Sequence, residues 1–178
     1  MSLRSALVIL AGLAILAGVN LAIMGKERLL ADGRVVYLEL APVDPRSLMQ
    51  GDYMALRFRA GDEILQALPR TEGRVVRGVR IPDVAPMDGR AVVALDERGV
   101  ARFARLDAGS ALAANEAYVA YRVRQSRLKF ATDAFFFEEG RAKEYEAARY
   151  GEFRVAPGGE LLLVALRDKD LRRLGPPS

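Results

Sequence analysis

The sequence predicts an α+β, β-rich chain: a single N-terminal transmembrane helix, then one mainly antiparallel β domain with one or two short helices. Three observations carry that reading. Ser5–Gly25 runs 21 residues without a charge, and at 1.5 Å per residue that is about 30 Å of helix, the thickness of a bilayer's hydrocarbon core. Beyond it, apolar residues recur mostly with period two, in short runs bounded by the Asp, Gly and Pro clusters that close hairpins. A composition of 51% hydrophobic and 28% charged over 178 residues suits one globular domain plus an appendage. It does not suit a disordered chain or a polytopic membrane protein.

The apolar run shows no polar face of the kind a soluble helix turns to water. It also exceeds the roughly 7–15 residue core of a cleaved secretory signal. Residues 1–25 are therefore expected to be an uncleaved signal anchor, with the small residues Gly12, Ala14, Gly18 and Ala22 spaced for close helix approach. Arg4 precedes the span and Lys26, Glu27 and Arg28 follow it. The short basic tail places the N-terminus inside and the domain outside the cytoplasm. Residues 26–33 read as a juxtamembrane linker, 34–170 as the domain, and 171–178 as a flexible tail.

Within the domain, Arg34–Leu40, Tyr53–Phe58 and Arg74–Ile81 read as strands. Ala91–Leu95 and Val100–Leu106 flank Asp96-Glu97-Arg98-Gly99 as a hairpin. Tyr118–Val123 with Lys129–Phe130, and Phe153–Val155 with Leu161–Leu166, read as two more, and Ala134–Glu138 as a short strand between them. Arg141–Tyr150 is the strongest soluble helix, with Ala142, Tyr145 and Ala148 three apart. Gly61–Leu68 adds a turn or two, facing Ile64, Leu65 and Leu68 inward. Leu106–Ala117 is Ala-rich, weakened as a helix by Gly109 and Asn115.

Cys, His and Trp are absent. That removes thiolate nucleophiles, Cys/His zinc sites and Ser-His-Asp triads. Of 27 basic residues only four are lysine, which narrows Ser/Lys and Schiff-base chemistry. The net charge is +4, with both signs interleaved and no basic stripe among stacking aromatics, so nucleic acid is not expected as a partner.

Residues 41–58, APVDPRSLMQGDYMALRF, hold the densest local information. Asp44 before Pro45 has the form of an N-cap with proline in the first helical position, and Gly51 that of the residue that stops such a helix. Asp52 then opens a strand with Tyr53, Ala55 and Arg57 on one face and Met54, Leu56 and Phe58 on the other. GDYMALRF resembles the signature of the GDYXXLXY family: Gly51, Asp52, Tyr53 and Leu56 match, and Phe58 stands for the final tyrosine. Leu128–Gly140, LKFATDAFFFEEG, resembles that family's second stretch, aromatic and acidic and ending in Glu139-Gly140, with Asp133 where a glutamate is usual. The resemblance covers about residues 35–166. It implies one N-terminal span in the bacterial inner membrane, a periplasmic domain and multi-span membrane proteins as gene neighbours. It supplies no catalytic residue.

SLMQGDYMAL is also similar to the segment beside the nucleophile of signal peptidases. Val43 stands where their serine would, and no lysine lies between Lys26 and Lys129. A serine without a base is not activated.

Asp52 brought beside Asp133, Glu138 or Glu139 would make a pair of carboxylates fit for acid–base work. The structural counterpart is an Asp52 that accepts backbone N–H groups or pairs with Arg46 or Arg57. Tyr53, Tyr118 and Tyr121 are pocket candidates, and Phe135, Phe136 and Phe137 put a ring on each strand face. No spacing points to a metal or a cofactor, and none is expected. The candidate interaction set is Gly51, Asp52, Tyr53, Leu56, Phe58, Asp133, Phe135, Phe137, Glu139 and Gly140. The expected role is a non-enzymatic, membrane-tethered accessory subunit docking on an integral membrane partner. The alternative is an envelope hydrolase pairing Asp52 with Glu139 or Asp133.

Overall fold

The apolar run is helical, and the helix does not end with it. In the computed structural model, which describes residues 3–41, 49–50, 53–76 and 79–176, α1 spans Leu3–Asp32. Its apolar window is long enough to cross a membrane and none of it is buried against the domain. Residues 26–32, expected as a linker, continue the helix, because no breaker occurs before Gly33 and the domain holds this stretch. Lys26 pairs with Glu160, Leu29 is buried, and Gly33 donates to the Leu29 carbonyl (3.0 Å) while its own carbonyl accepts from Arg154 (3.1 Å). A Cβ on Gly33 would lie 2.3 Å from that Leu29 oxygen, so the joint admits only glycine without displacement.

The chain then builds β1 (Arg34–Glu39), β2 (Met49–Gln50), β3 (Tyr53–Ala55), α2 (Arg59–Ala67), β4 (Thr71–Val76) and β5 (Val79–Asp83). These are followed by β6 (Met87–Leu95), β7 (Val100–Leu106), β8 (Glu116–Arg124), β9 (Arg127–Lys129), β10 (Ala134–Phe136), β11 (Tyr150–Val155) and β12 (Leu161–Arg167). Seven strands form a half-barrel in the order β12-β11-β1-β7-β6-β8-β9. Its neighbours pair antiparallel except β1 and β7, which run parallel with Tyr37 opposite Val100. Small sheets β10-β3-β2 and β4-β5 complete the fold. The class is α+β and β-rich, as the periodicity predicts.

Alternation explains the core. Val36 and Leu38 of β1, Val119 and Val123 of β8 and Phe153 of β11 point inward at two-residue intervals, and α2 seals them with Ile64. The three hairpins form around the loops the sequence marks. At the β8–β9 turn both Gln125 and Ser126 have positive φ (52° and 58°), a conformation that favours Asn-Gly.

Four expectations within the domain and its tail fail. Arg141–Tyr150 is not a helix: a 3-10 turn covers Ala142–Tyr145. Leu40 and Arg149 join backbone to backbone (2.8 Å), as do Arg149 and Arg167 (2.8 Å), and these bonds draw the end of the segment into the sheet. Pairing on both sides outweighs helix propensity. The inward residues are still those expected, since Tyr145 and Ala148 are buried. Arg74–Ile81 is not one strand but parts of β4 and β5, with Val76 opposite Val79. Leu106–Ala117 carries no helix: Leu106 ends β7, and residues 107–115 form a loop tied by Arg105 to Glu116. The tail from Leu171 is pinned rather than loose through residue 175. Leu174 donates to Leu166 (2.9 Å), Arg167 to the Leu171 carbonyl (3.1 Å), and Gly175 lies against Tyr145.

Glu152, only 6% exposed, is the buried charge among the described residues, and it is answered by Arg167 from the neighbouring strand. Removing one partner of such a pair strands the other in a poor dielectric. Glu152→Leu should therefore lower stability by about 3 kcal/mol in urea unfolding in mild detergent, with Glu152→Gln intermediate. Loss under 1 kcal/mol for Glu152→Leu would show that the pair contributes little.

Candidate functional site

The two stretches that resemble the family meet in space. β3 and β10 pair antiparallel, with Ala55 opposite Ala134, Met54 opposite Phe135 and Tyr53 opposite Phe136. Leu56 N–H extends the ladder to the Asp133 carbonyl (2.8 Å). Gly51 and Asp52, with Asp44 and Pro45, lie outside the described residues. The signature from Tyr53 onward keeps its expected faces, Met54, Leu56 and Phe58 being buried.

Phe58 is the keystone of this region. It bridges to Leu40 at the end of β1 and meets Phe153 and Phe130 edge to face (centroids 5.3 and 5.9 Å). A Cβ at Gly151 would stand 2.9 Å from the Phe58 ring, so that glycine makes the seat in which the ring lies. The Phe58 carbonyl then accepts from Gly61 (2.9 Å) and Asp62 (3.2 Å), which starts α2.

A cavity of about 490 Å³ opens between the signature strand, α2 and the β8–β9 hairpin. Leu56, Phe58, Leu65, Leu128 and Phe130 supply its apolar lining, and Arg57–Asp62 (2.9 Å) and Lys129–Asp133 are ion pairs among its lining residues. Asp133 thus reaches the site, but as a paired carboxylate. The hydrogen bond from Lys129 holds its pKa below the usual carboxylate value. A general acid needs the opposite shift. Glu138 pairs with Arg141 (3.0 Å), and so does Glu144 (2.7 Å); the latter bond holds the Glu144 carboxyl low. Glu139 is exposed, and Gly140, at φ +82° with open space around it, turns the chain after β10. No group of three Asp or Glu able to hold a metal is present among the described residues.

The aromatic triplet divides. Phe135 and Phe137 pack on the buried Tyr145 (centroids 5.2 and 5.1 Å), while Phe136 is 74% exposed and touches Tyr53 (5.8 Å). Outside α1, Phe136 is the exposed large hydrophobic residue among those described. The expected tyrosine pocket does not form as one unit, because Tyr118 and Tyr121 project from opposite faces of β8. Tyr118 lies under Arg90 (4.6 Å), and Tyr121 is buried against Gly89, which pushes its phenol pKa up. Sequence reasoning missed the third wall of the cavity, Gly61 and Asp62 with Ser126 and Arg127. The inward face of Gly61–Leu68 was the available signal.

Phe58→Ala should cost about 3–5 kcal/mol, because the cavity it leaves is walled by sheet and cannot collapse. Phe58→Leu should recover more than half of that. Equal losses for both, measured by urea unfolding, would mean that the ring's edge-to-face contacts rather than its volume decide the site.

A family model described as "GDYXXLXY protein" matches residues 15–166, most of the chain. The match takes in β3, β10 and every strand of the half-barrel. No curated protein and no solved structure matches significantly. With that match over most of its length, and with its signature strand paired to the second stretch that resembles the family, the chain belongs to the GDYXXLXY family.

Proposed function

We propose that this chain is a non-enzymatic, membrane-tethered accessory protein of the bacterial inner membrane, whose domain lies in the periplasm and docks on an integral membrane partner. Phe136 is the observation that carries the reading. A large ring left in water beside Tyr53, at the edge of the small sheet, offers a partner apolar area to bury. The edge supports the same use. Thr132 caps the Ala134 backbone with bonds of 2.8 and 3.2 Å, which blunts the strand on one side of the exposed ring. The sequence has no Cys or His, and the described carboxylates at the site are ion-paired or exposed. These features favour binding over hydrolysis.

A photoreactive phenylalanine at Phe136, in the full chain in its native membrane, should crosslink to a multi-span membrane protein. The same probe at Arg70 should give no such adduct. Loss of stability on Phe136→Ser should stay within about 0.5 kcal/mol, as for an exposed site. Absence of an adduct at Phe136 would sink the docking role.

Orientation has its own test. A reporter active only outside the cytoplasm, fused after Ser178, should be active. Activity of a cytoplasm-only reporter at that site would reverse the topology.

A further inference from the structure

Between β12 and the β8–β9 hairpin the half-barrel leaves a seam. Ala120 donates to the Gly159 carbonyl across it (2.7 Å), and beside that bond lies a cavity of about 370 Å³. Leu161 and Leu162 line one wall, Tyr121, Arg122 and Phe130 another, and Lys26 of α1 reaches the same space. Lys26 is the first charge after the 21-residue apolar run. One residue therefore marks both the end of the span and the wall of the cavity. The joint fixes this relation, since Leu29 is buried and Gly33 is bonded on both sides.

The charges around the cavity are already matched but for one. Glu160 is held by Lys26, and Asp88 by Arg124 (2.8 Å). The side chain of Arg122, whose backbone pairs with Asp88 and Lys129, makes no hydrogen bond or ion pair among the described residues, so the charge left to answer is an anion's. An occupant has to combine an anionic group with an apolar body and lie at the depth of Lys26. A bilayer surface presents that combination as phosphate above acyl chains.

We propose that the seam cavity receives a phospholipid headgroup, its phosphate at Arg122 and its glycerol end against Leu161, Leu162 and Phe130. The inference rests on the reading of α1 as a membrane span. The lipid fills the seam that the sheet leaves open and holds the domain's β11–β12 side down on the bilayer.

The sequence has no cysteine, so single-cysteine fluorescent labels are unambiguous. The full chain carrying Leu16→Cys, Ala131→Cys or Gly158→Cys is placed in vesicles of phosphatidylcholine and phosphatidylglycerol. Nitroxides are carried either on the lipid headgroup or midway along the chain. Chain-labelled lipid should quench the Leu16 position, and headgroup-labelled lipid should quench Ala131, which lines the cavity. Arg122→Ala should raise the lipid fraction needed for half-quenching at Ala131 about fivefold, the equivalent of one basic side chain at an anionic surface. It should leave Gly158, on the turn outside the cavity, unchanged. An unquenched Leu16 overturns the span reading and the lipid site with it. A quenched Leu16 with an unquenched Ala131 overturns the lipid site alone and leaves a partner's juxtamembrane segment as the cover. An Ala131 response indifferent to Arg122→Ala overturns the phosphate assignment.

Discussion

The parallel pairing of β1 with β7 is the constraint on which the rest of the fold depends. Tyr37 lies opposite Val100 and Leu38 opposite Ala101, and parallel neighbours cannot be joined by a tight turn. The chain between Leu40 and Val100 therefore has to return: β6 runs back within the sheet, and the segment crossing from β1 to β6 past β7 carries the signature strand, α2, β4 and β5. α2 packs against β1, β7 and β9, so the crossing segment becomes the lid of the core. The signature stands where the chain leaves β1 for that crossing. Phe58 bridges Leu40 there and needs Gly151 on β11 to have no side chain. The most recognisable stretch of the sequence thus marks the corner at which the sheet is roofed.

Short-range structure was legible because its causes are local. Alternation on β1 and β8, and the Gly-containing loop before Val100, contain their own explanation. So does the uncharged run of α1, whose helix is longer than the apolar stretch only because Leu29 and Gly33 are gripped by the domain. What could not be seen depends on distant partners. Arg141–Tyr150 has helix-forming residues, yet Arg149 bonds both Leu40 and Arg167. The site was half legible. Two separated stretches could be named, but that β3 pairs with β10 in the register Tyr53–Phe136 is decided by tertiary fit. The Gly51–Asp52 pair, which stood first in the sequence reading, falls outside the described residues.

The interleaved charges have a plain structural use. Arg90 meets Asp107 (2.7 Å), Arg105 meets Glu116, and Arg141 reaches both Glu138 and Glu144. The bond from Arg105 holds the Glu116 carboxyl low, and the Gly109 N–H, with Arg90, does the same for Asp107. Water screens such surface pairs, so each adds little to stability. Many of the arginines are committed in this way, while Arg122, whose side chain has no partner among the described residues, lines a partly apolar cavity.

The stiffness of the α1–β1 joint connects these features. A domain on a flexible linker would sample many orientations and lose that freedom when it bound. Here the helix runs into the sheet through one glycine, Lys26 and Gly33 each contact the β11–β12 hairpin, and Leu29 between them is buried. The orientation is fixed before any partner arrives. On the proposed reading a partner would be selected by geometry as well as by chemistry, because only groups at the depth of the helix end would reach the seam cavity. Phe136, on the separate β10-β3-β2 sheet, offers a second surface that does not share a wall with it. One rigid body with two such surfaces is suited to holding a membrane and a neighbouring protein in a set relation, a task for which no catalytic group is required.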